Sequence, residues 1–175
     1  MNLEKEQIIV ETLLQKAPYA EGKVRRERRI EFCIPPDRIR DFLVLLKENN
    51  FESMMQITAV DWLKDGEIEL VYQMWSYTHA IHAFVKTRIP RDVDKARVPS
   101  VRDIYPAAET YERDVHEFYK VTFEGNDKLE MPWILEDEDR EAGVSHRKDF
   151  DMLGYVKKKY RLLDRFEEDK ENYVI

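Results

Sequence analysis

Residues 51–89, FESMMQITAVDWLKDGEIELVYQMWSYTHAIHAFVKTRI, decide the fold. From Glu67 to Trp75 the chain alternates, with Ile68, Leu70, Tyr72 and Met74 on one side, the two-residue period of a strand. Phe51 to Asp61 reads as the strand before it, and Leu63-Lys-Asp-Gly66 supplies turn chemistry, so the pair forms a hairpin. After Ser76 to His79 a further alternating stretch runs from Ala80 to Ile89, and three neighbouring strands of this kind form a meander. Upstream, Val24 to Ile34 alternates too, with Ile30, Phe32 and Ile34 opposite Arg29, Glu31 and Cys33, which predicts one strand with a polar face after Gly22 breaks the preceding pattern.

Helical spacing flanks these strands. Leu3 to Lys16 sets Ile9, Val10, Leu13 and Leu14 on one side. Beyond the strand-ending Pro35 and Pro36, Asp37 caps a helix carrying Ile39, Phe42, Leu43, Leu45 and Leu46 that finishes at Asn49 and Asn50. Pro90 to Arg97 is a charged loop, Ser100 is placed to cap a short helical turn, and Pro106 precedes a helix over 107–119 whose Ala108, Tyr111, Val115 and Phe118 share a face. The expected fold is α/β (α+β): a two-layer, mixed sheet of four to five strands with helices at 3–16, 37–49 and 107–119 packed on it. Residues 1–123 form this compact domain, and 124–175 an extended C-terminal arm.

Composition narrows the chemistry. The chain has 175 residues, 29 Lys plus Arg against 36 Asp plus Glu, and 43% hydrophobic residues, enough for one real core. One cysteine, Cys33, cannot hold an iron–sulfur cluster or close an internal disulfide. Five scattered glycines cannot build a Walker A loop or a Gly-x-Gly-x-x-Gly turn. No apolar run approaches the roughly 18 residues that span a bilayer, and the start lacks the regions of a signal peptide, so a cytoplasmic chain without a membrane span is expected. Charged residues make up 37%, against roughly 25% in ordinary domains, and this leans toward a heat-adapted source.

The residues from Glu124 to Ile175 hold 15 acids and 10 bases. Their apolar members, Met131, Trp133, Ile134, Leu135, Phe150, Met152, Leu153 and Tyr155, fall in clumps between charges, which suits docking onto another surface better than building a core. Three further features bear on chemistry. The run Lys23-Val-Arg25-Arg26-Glu27-Arg28-Arg29 is locally basic, but a nucleic-acid footprint is longer and free of interleaved acids; a charged edge strand or an acidic partner fits it better. His79 and His82, three apart on a strand edge, point to opposite faces and do not make a zinc site. Glu112 and His116 are four apart on a helix and can touch, either as a general acid–base pair or as an ordinary helical ion pair; Tyr119 and Cys33 carry no stronger signal.

In order along the chain come Val98-Pro-Ser-Val101, Ile104-Tyr-Pro-Ala-Ala108, Tyr111-Glu-Arg-Asp114, Phe123-Glu-Gly-Asn126 and His146-Arg-Lys-Asp-Phe150. This series resembles the complex I 30 kDa subunit family, the C subunits of NADH-quinone oxidoreductases, whose motifs are Glu-Arg-Glu-x-x-Asp-x-Phe-Gly, Phe-x-Gly-His-Pro-x-Leu-Arg-Arg and Leu-Arg-Lys-Asp. Phe51 through Trp62, and Leu70-Val-Tyr72 with Ser76, resemble earlier strands of the family. The chain departs from it at Glu117-Phe-Tyr-Lys120, at Asn126-Asp127 and at Glu130-Met131. These departures point toward the short members found in archaeal energy-converting membrane-bound hydrogenases and the related sulfane sulfur reductase complexes.

The resemblance implies a non-catalytic structural subunit of the peripheral arm of a membrane-bound respiratory oxidoreductase, on the cytoplasmic face of the membrane. The first expectation is a ferredoxin-dependent, hydrogen-evolving hydrogenase; a sulfane sulfur reductase or an NADH/quinone-type complex is the alternative. It implies no cofactor in this chain, with iron–sulfur clusters and any nickel–iron site in partner subunits. The implied partners are a hydrogenase-large-subunit-like (49 kDa-like) subunit, a small iron–sulfur subunit and other peripheral and membrane subunits. Contact residues are then expected at Glu112, Arg113, Trp133, His146, Arg147, Lys148, Asp149, Phe150 and Tyr155. Glu112 and Arg113 equally suit bracing the helix against its own sheet, since internal and interfacial ion pairs look identical in sequence. A small acid–base enzyme using Glu112 and His116, and a free-standing binding module using the Arg25–Arg29 strand, are the rival readings.

Overall fold

A computed structural model describes residues 3–160; the part of the expected arm beyond residue 160 lies outside the described residues. The elements are α1 (Glu4–Lys16), β1 (Glu21–Arg26), β2 (Arg29–Cys33), α2 (Ile39–Glu48), β3 (Ser53–Trp62), β4 (Glu67–Ser76), β5 (Ile81–Pro90), β6 (Arg97–Pro99), α3 (Ala108–Tyr119), β7 (Thr122–Glu124), α4 (Asp137–Glu141) and α5 (Met152–Tyr160). β1 to β5 form one mixed sheet in the order β1-β2-β5-β4-β3, in which β2 and β5 run parallel and the other pairs antiparallel. The meander β3-β4-β5 is as expected, and β2 lies beside its third strand.

The strand expected over Val24 to Ile34 is two strands. Arg28 takes a left-handed φ of 59° and turns the chain back between β1 and β2, while its backbone N–H donates to the buried carboxylate of Glu6 at 2.8 Å. Gly22 stands inside β1, opposite Phe32, rather than breaking the pattern. A Cβ there would come within 2.7 Å of the Phe32 ring and 3.2 Å of Val10, so a bare backbone is what lets α1 approach the sheet.

α2 ends as its asparagines predict. Asn50 turns left-handed at φ 62°, the Phe51 N–H returns to the Leu46 carbonyl at 3.0 Å, and the Asn50 N–H to Lys47 at 3.2 Å. Phe42 of this helix meets Phe32 with ring centroids 4.9 Å apart. The core therefore lies between the helices and one sheet face, built on Phe32, Phe42, Phe51, Ile57, Ile68 and Tyr72. The opposite face carries a ladder of paired charges: Lys86 contacts Glu31 at 3.1 Å, and Arg88 contacts Glu67 at 2.9 Å.

The charged loop expected over Pro90 to Arg97 ends in a strand. β6 pairs in parallel with β7, so the segments before and after α3 are tied to each other. The region after Glu124 departs from an extended arm. It carries the short helices α4 and α5, and it folds back on α3 and on the ends of β3 and β5, burying Asn126, Leu129 and Arg147.

Candidate functional site

Most inward positions of α3 are polar, with Ala108 and Val115 the apolar exceptions. Glu112, Arg113, His116 and Glu117 are all buried, although four such residues on one helix would ordinarily face water. Each is explained by a main-chain or side-chain partner brought to it by a neighbouring segment.

Glu112 is 0% exposed and holds the turn that precedes α3. Its carboxylate accepts from Ser100 Oγ at 2.7 Å, from the Val101 N–H at 2.8 Å and from Asn126 Nδ2 at 2.9 Å. Burial pushes its pKa above the usual glutamate value, against the pull of these three donors. Ser100 also accepts the Arg102 N–H at 3.3 Å, the short capping arrangement expected of it.

Glu117, 1% exposed, accepts from three successive main-chain N–H groups: Trp133 at 2.6 Å, Ile134 at 2.8 Å and Leu135 at 3.2 Å. Arg113 donates to the carbonyls of Met131 and Pro132 at 3.1 and 2.8 Å, and its guanidinium stands 4.9 Å from the centre of the Trp133 ring. His116 Nδ1 lies 2.9 Å from the Val121 carbonyl oxygen, and its Nε2 3.3 Å from Glu130. α3 thus grips residues 126–135 along its length.

A second grip closes over the sheet. Arg91 makes a two-pronged contact with Asp61, at 2.7 and 3.1 Å, and also pairs with Asp149. The Asp61 carboxylate accepts the Lys148 N–H at 2.8 Å. Arg147 donates to the carbonyls of Tyr119 at 2.6 and 3.0 Å and of Arg91 at 2.7 Å. The His146 ring stacks on Phe118 with centroids 4.0 Å apart and planes 10° from parallel. The Arg91 guanidinium holds both Asp61 and Asp149 below the usual aspartate range.

These contacts correct part of the expected interface. Glu112 has no surface to offer a neighbour, and the buried Arg113 and Arg147 make their charge-assisted bonds within the chain, whereas Asp149 pairs with Arg91 and stays exposed. For Glu112 and Arg113 the internal role is the observed one, with a difference: they brace loops and the arm rather than the sheet. Glu112 and His116 do not pair with each other, because α3 turns them toward separate partners, Ser100 and Val121.

Trp133, His146 and Lys148 remain exposed, and Phe150 and Tyr155 are half-buried, with rings 5.8 Å apart. The His82 ring meets Trp75 with centroids 4.5 Å apart and planes tilted by 53°, and Cys33 stands exposed at the end of β2. The roles of Glu117, Asn126, Asp61 and Arg91 were not read from the sequence. Asp61 alone carried a local signal: it follows Ile57 and Ala59 on the inward register of β3, where a carboxylate needs a buried partner.

Known proteins resemble this chain over most of its length. Residues 32–156 match the family described as respiratory-chain NADH dehydrogenase, 30 Kd subunit. The C subunit of the F(420)H(2) dehydrogenase of Methanosarcina mazei is 31% identical over 133 residues, covering 74% of this chain and 82% of that protein. The C subunit of the NADH-quinone oxidoreductase of Phenylobacterium zucineum is 35% identical over 128 residues, covering 72% of this chain and 58% of that longer protein. A chain in the structure of the membrane-bound sulfane sulfur reductase, an archaeal respiratory membrane complex, is 68% identical and superposes with a TM-score of 0.89, over 98% of this chain and 100% of that one. The trypsin-resistant fragment (1-134) of Nqo5 superposes with a TM-score of 0.59 over 70% of this chain and 97% of its own; at 20% identity it shares the fold.

Proposed function

This chain belongs to the respiratory-chain NADH dehydrogenase 30 kDa subunit family, and on that basis we propose that it is a non-catalytic, peripheral subunit of a complex I-related membrane-bound respiratory oxidoreductase. The observation that carries the proposal is an inversion of polarity around the arm. Charged side chains point inward from α3 while large apolar ones point out: Met131 is 52% exposed, Trp133 48%, Ile134 57% and Leu153 67%. Internal hydrogen bonds fix the arm's backbone, and the fixed backbone presents an apolar, partly aromatic ridge of the kind that becomes buried against a neighbour.

Trp133 and Ile134 are then the direct contacts with a large, 49 kDa-like catalytic subunit, and the half-buried Phe150 and Tyr155 are further contacts. Glu112, Arg113 and Arg147 act one step back, as residues that position the ridge. His146, stacked on Phe118, and Lys148, beside Asp61 and Trp62, are exposed contacts outside the ridge. The subunit holds no cofactor of its own in this reading; iron–sulfur clusters and any nickel–iron site belong to its partners. Among the described residues no helix is long and apolar enough to cross a membrane; the place proposed for the subunit is peripheral, on the cytoplasmic face.

Between the two archaeal complexes, the 68% identity favours one of sulfane sulfur reductase type over the hydrogen-evolving hydrogenase expected first. A heat-adapted archaeal source accords with that choice. The test is purification of the tagged full chain from its native membranes under mild detergent. Iron–sulfur and membrane subunits are expected to accompany it, with a large subunit lacking a full set of nickel-ligating cysteines. A chain recovered alone overturns the assembly, and a large subunit with four such cysteines overturns the choice of complex.

A further inference from the structure

Arg26, Arg28 and Arg29 crowd the tip of the β1–β2 hairpin. Other arginines of the chain have a partner for the guanidinium: Arg25 has Glu31, Arg40 has Asp103, Arg88 has Glu67, Arg91 has Asp61, and Arg113 and Arg147 have main-chain carbonyls. Among the described arginines these three alone make neither an ion pair nor a side-chain hydrogen bond. The Arg29 guanidinium stands 5.8 Å from the centre of the Phe84 ring.

The tip borders a shallow concavity of about 530 Å³ lined by Arg26, Glu27, Arg28, Arg29, Trp75 and His82. The sheet register explains why these side chains meet. Arg29 lies opposite His82 across β2 and β5, and His82 opposite Trp75 across β5 and β4, so guanidinium, imidazole and indole stand in one row. The half-buried Trp75 and His82 rings, 4.5 Å apart, make an apolar floor beside three cations that repel one another.

We propose that this concavity docks an acidic segment of a partner protein, with carboxylates on Arg26, Arg28 and Arg29 and an apolar side chain on Trp75. Charge complementarity carries the choice of occupant. Guanidinium is the planar, weakly hydrated cation suited to carboxylates, and the tip is a local positive site on a chain of net charge −7. A nucleic acid needs a longer cationic track, whereas here Glu27 sits in the tip and Glu31 and Glu69 continue along the same sheet face. The hairpin forms the β1 edge of the sheet and the arm packs near β3 at the other, so this contact is separate from the arm's.

The chain has three tryptophans, so in a full-length Trp62→Phe, Trp133→Phe variant the emission reports Trp75. A leucine-containing oligo-glutamate peptide is expected to shift that emission, with an affinity that falls as salt rises. Adding Arg26→Gln and Arg29→Gln is expected to weaken binding by roughly tenfold or more, while Arg88→Gln, on the same face but paired with Glu67, leaves it unchanged. Absence of a shift with the peptide, equal binding by the double variant, or tighter binding of an oligothymidylate of matched charge each overturns the proposal.

Discussion

The Glu117 carboxylate receives the Trp133 main-chain N–H at 2.6 Å, and through it a helix in the body sets the direction of the arm. The next two N–H groups converge on the same side chain, so one buried charge orders three consecutive residues, and the side chains of two of them, Trp133 and Ile134, are about half exposed. A ridge held by its backbone can offer its side chains without first having to be ordered.

Replacing Glu117 by Gln keeps the shape but removes the charge and turns one acceptor into a donor facing other donors. The expected cost is about 1.5–3 kcal/mol in urea unfolding. Amide exchange should accelerate at Trp133, Ile134 and Leu135 ahead of the sheet. Exchange at those three residues that stays as slow as in the parent chain contradicts the assigned role.

Trp133→Ala with Ile134→Ala separates docking from folding. Both side chains are about half exposed, so stability of the isolated chain should change by no more than about 1 kcal/mol. Recovery of the large subunit in native pull-downs should drop by roughly tenfold or more. Normal assembly by this variant removes the ridge as the contact.

Acid should loosen the closure over the sheet. Arg91 holds Asp61 and Asp149 below the ordinary aspartate value of 3.8, and Arg40 brings Asp103 to about 2. Groups depressed on folding contribute stability above the unfolded value and lose it as pH falls through the folded one. The loss therefore runs downward from 3.8 toward about 2. Glu112, raised by burial, works in the opposite sense, because its protonation favours the folded chain, but it acts above the ordinary glutamate value of 4.5 and is complete before this window. Urea midpoints measured against pH should show a net decline in this window, and Asp61→Asn should lower neutral stability while making the decline shallower. An unchanged slope in that variant excludes Asp61 as a source.

Lys120 ends α3 in the left-handed region, at φ 55°, with its N–H on the His116 carbonyl at 2.8 Å. Lys120→Gly removes the Cβ strain and should raise stability by about 0.5–1 kcal/mol after the added flexibility of the unfolded chain is counted. Lys120→Val should lower it, and thermal melts distinguish the two. A glycine variant less stable than the parent contradicts the strain.

The meander and the ends of α2 were legible because each depends on local rules: alternation in Glu67 to Trp75, and asparagine at a left-handed helix end. The β1–β2 turn was not, because Arg28 adopts a positive φ without being Gly, Asn or Asp, and the contact with Glu6 that accompanies it is distant in sequence. The candidate site divides the same way. Arg113 and the His146 to Asp149 run stood out as motif residues, yet sequence could not say that their bonds close within the chain. Glu117 and Asn126 entered as departures from the family pattern, and both proved to be buried members of the grip on the arm.

The outward ridge also bears on how the chain is made. A copy synthesised ahead of its neighbours leaves Met131, Trp133, Ile134 and Leu153 uncovered, and such surfaces are what chaperones and proteases bind and what drives aggregation. Its abundance is then coupled to that of the proteins that cover it. Production in a foreign host should accordingly depend less on the strength of the fold than on co-expression with a partner.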